Sequence, residues 1–220
     1  MERIADAFVW PLRDPEWVTK VVIIGLLLLI PVVGALNGLG WMLAALDRLR
    51  AGQETLPPAN FTYLGRGLRL FVVNLVYLVV FVFIVLALFV PGVLLLATEG
   101  RRSGPDVPAV SLGLALVMLT FSLVTLGSVA FYFAMPSIVQ EVEHGGIGAG
   151  LNVGKVVRRS RNSLNSTLIA GLMLIAAAFV GQVGAFACIV GAVFTTAYSL
   201  AMQAWIFRSF ELGATSPTSG

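Results

Sequence analysis

Charge is what this chain has least of. Only 11% of its 220 residues are Asp, Glu, Lys or Arg, where soluble domains carry about 25%. Hydrophobic residues make up 58%, and the mean hydropathy is +0.95. That balance excludes an ordinary soluble fold. The charges that are present are segregated: none lies between Lys20 and Asp47, Arg69 and Glu99, Asp106 and Glu141, or Arg161 and Arg208. Each gap is longer than the roughly 20 apolar residues that carry a helix across a ~30 Å hydrocarbon core. The expected fold class is an all-α integral membrane protein.

Cysteine and histidine are equally scarce. Cys188 stands alone inside an apolar run, so no intrachain disulfide can form and a cysteine-based metal site is not expected. His144 follows Glu141 and Glu143. Glu-Val-Glu-His is half a ligand set, and no second histidine exists to complete it or to build a Ser-His-Asp arrangement. The expectation is a solvated polar loop, with no catalytic residue, no metal and no cofactor. Ionisable side chains are missing from the apolar runs, which argues against a self-contained pump or ion-coupled transporter. The net charge of +3 does not point to nucleic acid, because the basic residues flank apolar runs, where they report orientation.

What is present is four apolar runs, 21–46, 70–97, 109–136 and 164–207. Residues 1–20 read as an interfacial segment, 21–208 as one membrane domain, and 209–220 as a flexible polar tail. In the first segment Ile4, Phe8 and Trp10 suit one apolar face. Asp14-Pro15-Glu16 reads as a helix start with proline at the first helical position, and Trp10 and Trp17 suit the headgroup zone. A cleavable signal peptide is not expected, because acidic and basic residues mix before the first run.

The second and third runs are long enough to span and are joined by the short segment 98–108, so they are expected to form two long antiparallel helices. The last run would be about 65 Å long as one helix. It must fold back, most naturally at Gly181-Gln182-Val183-Gly184. The first run, with Pro31, Gly34, Gly38 and Gly40, is either one kinked span or a second helix–break–helix hairpin. Basic residues favour the hairpin. Segments 48–69 and 137–163 carry Arg48, Arg50, Arg66, Arg69 and Lys155, Arg158, Arg159, Arg161, against Arg101 and Arg102 in 98–108. With two hairpins, only the last pair falls outside. IIGLLLLIPVVG (23–34) and LIAGLMLIAAAFVG (168–181) also resemble each other.

HGGIGAGLNVGK (144–155) invites a phosphate-loop reading, and its spacing refuses it. A Walker loop would need glycine at 149, which is alanine, and a hydroxyl at 156, which is valine. A dinucleotide fingerprint would need glycine at 151, which is leucine. Residues 147–161 instead read as an amphipathic interfacial helix. Ile147, Leu151 and Val157 form its apolar face, and Lys155, Arg158, Arg159 and Arg161 are candidate lipid-headgroup contacts. Gly34-x-x-x-Gly38 is a candidate helix-packing pair. Asn37, Asn74 and Gln182 are candidate intramembrane polar residues, with Asn37 and Gln182 placed to cap backbone freed at the two breaks.

PLRDPEW (11–17), the LLLIPVVG element, LPPANF and Leu64-x-x-Gly67-Leu68 together resemble a family of prokaryotic polytopic membrane proteins of unknown function. The resemblance implies an integral membrane fold in a prokaryotic inner membrane and brings no site residues. With cytoplasmic termini and no enzyme signature, the expected function is a non-enzymatic membrane scaffold or accessory and assembly subunit, oligomeric or membrane-shaping. Its expected partners are membrane lipids and either itself or a larger membrane complex. The alternative is a transport component or permease partner for a lipid or other apolar molecule, which a cavity lined by Asn74, Thr120, Ser122 and Thr125 would favour.

Overall fold

A computed structural model describes residues 6–101, 104 and 106–215; Ile4 and Arg102, used in the surface and orientation readings above, lie outside them, as does the side chain of Cys188. The described residues form eight α-helices and no strand. These are α1 (Asp6–Val9), α2 (Trp17–Leu28), α3 (Val33–Arg50), α4 (Leu64–Glu99), α5 (Val107–Gly150), α6 (Val153–Asn162), α7 (Leu164–Val183) and α8 (Cys188–Thr215). The 3-10 turns Trp10–Arg13 and Gly184–Ala187 precede α2 and α8. The protein is an all-α membrane protein in which α4, α5 and α7 are long and apolar enough to cross a bilayer.

Both outer apolar runs are broken, as the hairpin reading requires. In the first, Leu29 and Ile30 donate to Leu26 and Leu27 at 3.2 and 3.0 Å, which tightens the end of α2. Pro31 then removes a donor. Val32 sits at φ 64°, ψ −59°, and the Val33 N–H reaches the Pro31 carbonyl at 2.7 Å, closing a γ-turn. That conformation is strained for a β-branched residue. Gly34 lets the chain return, since a β-carbon there would meet the Leu27 and Leu28 backbone. With 12 residues α2 rises about 18 Å, too little to cross a ~30 Å core.

The last run turns at Gly184, as expected. Its two limbs are closed by hydroxyls reaching across to carbonyls: Ser199 to Ala177 at 2.9 Å and Thr195 to Gly181 at 2.8 Å. A β-carbon at Gly184 would collide with Gly191. Small residues therefore line the seam, the arrangement that lets helices pack where lipid supplies no hydrophobic drive.

The chain divides into two units. One holds the described residues up to Val73 and from Tyr132 onward; the other is Asn74–Phe131. In the first, α8 is the hub. It packs on α7, on α2 where Gly25 meets Val193, and on α3 where Gly38 meets Leu200. Ala197, Ala201, Met202, Ala204 and Ile206 are buried along it. The start of the chain wraps the same helix. Trp10 is fully buried, stacks on Trp205 at 6.0 Å and donates to the Ala201 carbonyl at 3.2 Å, while the Tyr198 hydroxyl donates to Phe8 O at 2.6 Å. Trp10 is thus a core residue rather than a headgroup anchor. Trp17 packs edge-on against Phe194 and Tyr198.

The second unit is an antiparallel pair built from parts of α4 and α5. Tyr77 meets Phe131, Phe81 meets Gly127, and Gly92 meets Gly113. The two glycines bring the backbones together, a β-carbon at Gly113 falling 3.1 Å from Gly92 O. Pro91 and Pro136 lie inside α4 and α5, so Pro136 does not end its run as the sequence suggested. At the other end of the chain, α8 continues through Thr215, with Phe210 buried and Glu211 ion-paired. Residues 209–215 are therefore helical, and the remainder of the expected tail lies outside the described residues.

Candidate functional site

The glycine-rich stretch resolves into two structures with a corner between them. α5 is interrupted at Gly146, where φ 70°, ψ −164° is a non-helical conformation that suits glycine, and one further short turn, 147–150, follows the kink. Leu151 and Asn152 then close the helix onto Ile147 and Ala149. Asn152 caps α6, its Oδ1 accepting from Lys155 N–H at 3.1 Å. The expected 147–161 helix is therefore divided, α6 proper beginning at Val153, and its inward face differs from the one expected. Val156 is the buried residue, while Val153 and Val157 are exposed. The cap sets this register, because it fixes which residue starts the helix.

α6 is pinned to its neighbours by hydroxyls. Ser137 and Ser160 approach to 2.8 Å, and Thr167 donates to the Ser160 carbonyl at 3.0 Å. Held in this way, one face of the helix (Lys155, Arg158, Arg159, Asn162 and then Ser163) walls a cavity of about 940 Å³. The ends of α5 and α8 and Arg50 of α3 supply the remaining wall. Of the four proposed headgroup residues, Lys155, Arg158 and Arg159 share this space; Arg161 lies on the same helix but does not line it.

The acids of the cavity are all engaged. Arg50 grips Glu211 with two nitrogens, Nε at 3.1 Å and Nη2 closer, and its Nη1 reaches Glu143 at 3.2 Å and Asp47 at 2.9 Å. Arg66 holds Asp47 and reaches Glu143 at 3.1 Å. Arg159 forms an ion pair with Glu141 at 2.8 Å and donates to Gln140 Oε1 at 2.5 Å. Arg208 lies 3.4 Å from Glu211. The Glu211 fork holds the Arg50 guanidinium above its ordinary range, against the opposing effect of its burial. Burial pushes the Asp47 carboxyl up, but Arg66 and Arg50 together outweigh it and leave the group below the usual carboxylate range.

Glu-Val-Glu-His is thereby accounted for as an ion-pair and hydrogen-bond element. Its two carboxylates face arginines, and His144 Nδ1 lies 2.8 Å from the Gln140 carbonyl. A carbonyl only accepts, so Nδ1 carries the proton in that contact. Lys155 and Arg158, by contrast, are exposed and make no ion pair among the described residues.

The other expected site residues fall elsewhere. Gly34 and Gly38 are buried against α2 and Leu200 of the same chain, so their packing is intramolecular. Asn37 is fully buried within α3 rather than at the break, and donates to Asn60 O at 2.9 Å, tying down the 51–63 loop. Gln182 is exposed near the end of α7. Asn74 holds a buried Oδ1 without a partner. Thr120, Ser122 and Thr125 return their hydroxyls to Leu116, Met118 and Phe121 of their own helix at 2.8–3.0 Å.

Sequence reasoning missed Asp14. It was read as a helix cap, yet α2 starts at Trp17 with Glu16 at the cap position. Asp14 instead closes a local turn by accepting from Glu16 N–H, and its other oxygen takes Lys20 Nζ and Leu56 N–H, all at 2.8 Å. It is a joint between the start of the chain and the loop after α3. Its position inside PLRDPEW was the available signal.

No curated protein and no solved structure matches this chain. One family profile does, over residues 23–190, starting downstream of PLRDPEW and covering about three quarters of the chain. Together with its all-helical membrane fold, that match assigns the chain to the family described as protein of unknown function (DUF4013).

Proposed function

We propose that this protein is a non-enzymatic membrane scaffold or accessory subunit, held in a prokaryotic inner membrane with its charged segments on the cytoplasmic side. The observation that carries the reading is the surface of α4 and α5. In their most apolar stretches only 6% and 11% of residues are buried, leaving side chains such as Phe83, Met118, Phe121 and Leu126 exposed around the pair. Two antiparallel helices cannot enclose a path by themselves. The hydroxyls that were candidates for lining one are satisfied within their own helix. Such a pair is suited to lie against lipid or another apolar helix.

The test is native mass spectrometry of the protein released from lipid nanodiscs. A defined oligomer, or a stoichiometric complex with another membrane protein, is the expected outcome. A monomer that retains one apolar molecule at fixed stoichiometry would overturn the scaffold reading and put transport of that molecule in its place.

A further inference from the structure

The cavity beside α6 has an imbalance of charge that its own walls do not resolve. Its acids, Glu141, Glu143 and Glu211, are matched to Arg159, Arg50 and Arg66, with Arg208 adding a longer contact. Lys155 and Arg158 are left over, facing the space without an ion-pair partner among the described residues. They sit three apart on one helix, so their β-carbons are about 5–6 Å apart and both side chains can reach a single group. Asn162, one turn further along the same wall, adds an uncharged amide.

We propose that this cavity binds a phosphate-bearing anion, with Lys155 and Arg158 as its charge partners and the Arg159–Glu141 pair holding the wall in register. Phosphate is the favoured class because a guanidinium fork and an ammonium on one wall, spaced so that both can reach one group, match a tetrahedral oxyanion. The ligand is larger than bare phosphate. A volume of about 940 Å³ is many times the ~30 Å³ share of a water molecule, so there is room for the group that carries the phosphate. A phospholipid headgroup and a soluble phosphate ester share this chemistry. The site is independent of the scaffold reading, since either a scaffold or a transport component could carry it.

The test uses the full-length protein in phosphatidylcholine nanodiscs, with glycerol 3-phosphate titrated by calorimetry. In parallel, phosphatidylglycerol retention is scored by native mass spectrometry from mixed-lipid nanodiscs. We expect at least one probe to bind saturably. The double variant Lys155→Gln, Arg158→Gln should lower that affinity by at least about tenfold, since it removes both charge-assisted bonds to the anion. Arg161→Gln, which removes a basic residue of the same helix outside the cavity, should leave it within about twofold.

Binding of glycerol 3-phosphate identifies a soluble ester as the source. Retention of phosphatidylglycerol alone identifies a headgroup. Both residues are exposed and unpaired, so the double variant should unfold at the wild-type temperature, and Lys155→Glu gives a second route to the same loss. The proposal is overturned if neither probe binds, if the double variant binds like wild type, or if Arg161→Gln costs as much. The last result would show diffuse surface charge rather than a site.

Discussion

Asp14 gathers three bonds on one carboxylate near the start of the chain. Its carboxylate is 2% exposed and accepts from Lys20 Nζ, Glu16 N–H and Leu56 N–H. Burial pushes this carboxyl up, but Lys20 and the two backbone donors together outweigh it and leave it below the usual carboxylate range. A depressed carboxylate stabilises the fold above its unfolded pKa, and that contribution is lost as pH falls through the folded value. The window therefore lies below about pH 4. Asp14→Ala would leave the buried Leu56 N–H without its acceptor and Lys20 without its nearest carboxylate, at a cost of about 2–4 kcal/mol. Thermal unfolding in detergent should show a lower midpoint for Asp14→Ala at pH 7. The wild type should also lose more stability than Asp14→Asn on acidification from pH 5 to pH 3. Parallel pH profiles for wild type and Asp14→Asn would remove Asp14 from the account.

Helices cross in this protein where glycines permit it, and α3 meets the start of α4 at such a crossing. A β-carbon on Gly40 would strike Tyr63 and one on Gly67 would strike the Leu36 carbonyl, so each occupies space that only hydrogen can share. Gly65, two residues before Gly67, has nothing within 4 Å. Gly67→Ala should therefore overpack the crossing and destabilise by about 1–3 kcal/mol or more. Gly65→Ala should be neutral or slightly stabilising, because alanine is favoured over glycine in a helix by up to ~1 kcal/mol. Unfolding temperatures of the two variants measured side by side check this, and equal losses would argue against a tight crossing. Glycine counts could not reveal which of the 23 glycines matter. Gly34 and Gly38 read as a helix-packing pair by spacing, and only packing showed that their partners are α2 and α8 of the same chain.

For the whole molecule, the contrast in burial between apolar segments makes its own prediction. A photoactivated carbene probe dissolved in the lipid phase should label α4 and α5 at Phe83, Met118 and Phe121, which are 65–73% exposed. It should spare Trp41, Met42 and Leu43 of α3, which are at most 1% exposed. Equal labelling of the two groups would mean that α4 and α5 are covered by something other than lipid. Composition alone does not distinguish the two groups, because both are apolar stretches of a membrane protein.

The sequence by itself determined the membrane class, the four apolar runs, the break at Gly184 and the pairing of α4 with α5. Each follows from local quantities: length against bilayer thickness, charge spacing, and proline and glycine positions. Tertiary structure decided the rest. The basic residues 155, 158 and 159 read as lipid contacts because they flank a span. They line one cavity because Asn152 sets the register of α6 and because arginines from α3 and α4 neutralise the acids opposite. Trp10 read as an interfacial aromatic and became core because α8 lies beside it, 191 residues further along the chain. Those outcomes depend on which distant helix arrives at a given face. Charge and hydrophobicity state that a face needs a partner; only packing selects the partner, because many apolar surfaces of this chain would satisfy the need about equally.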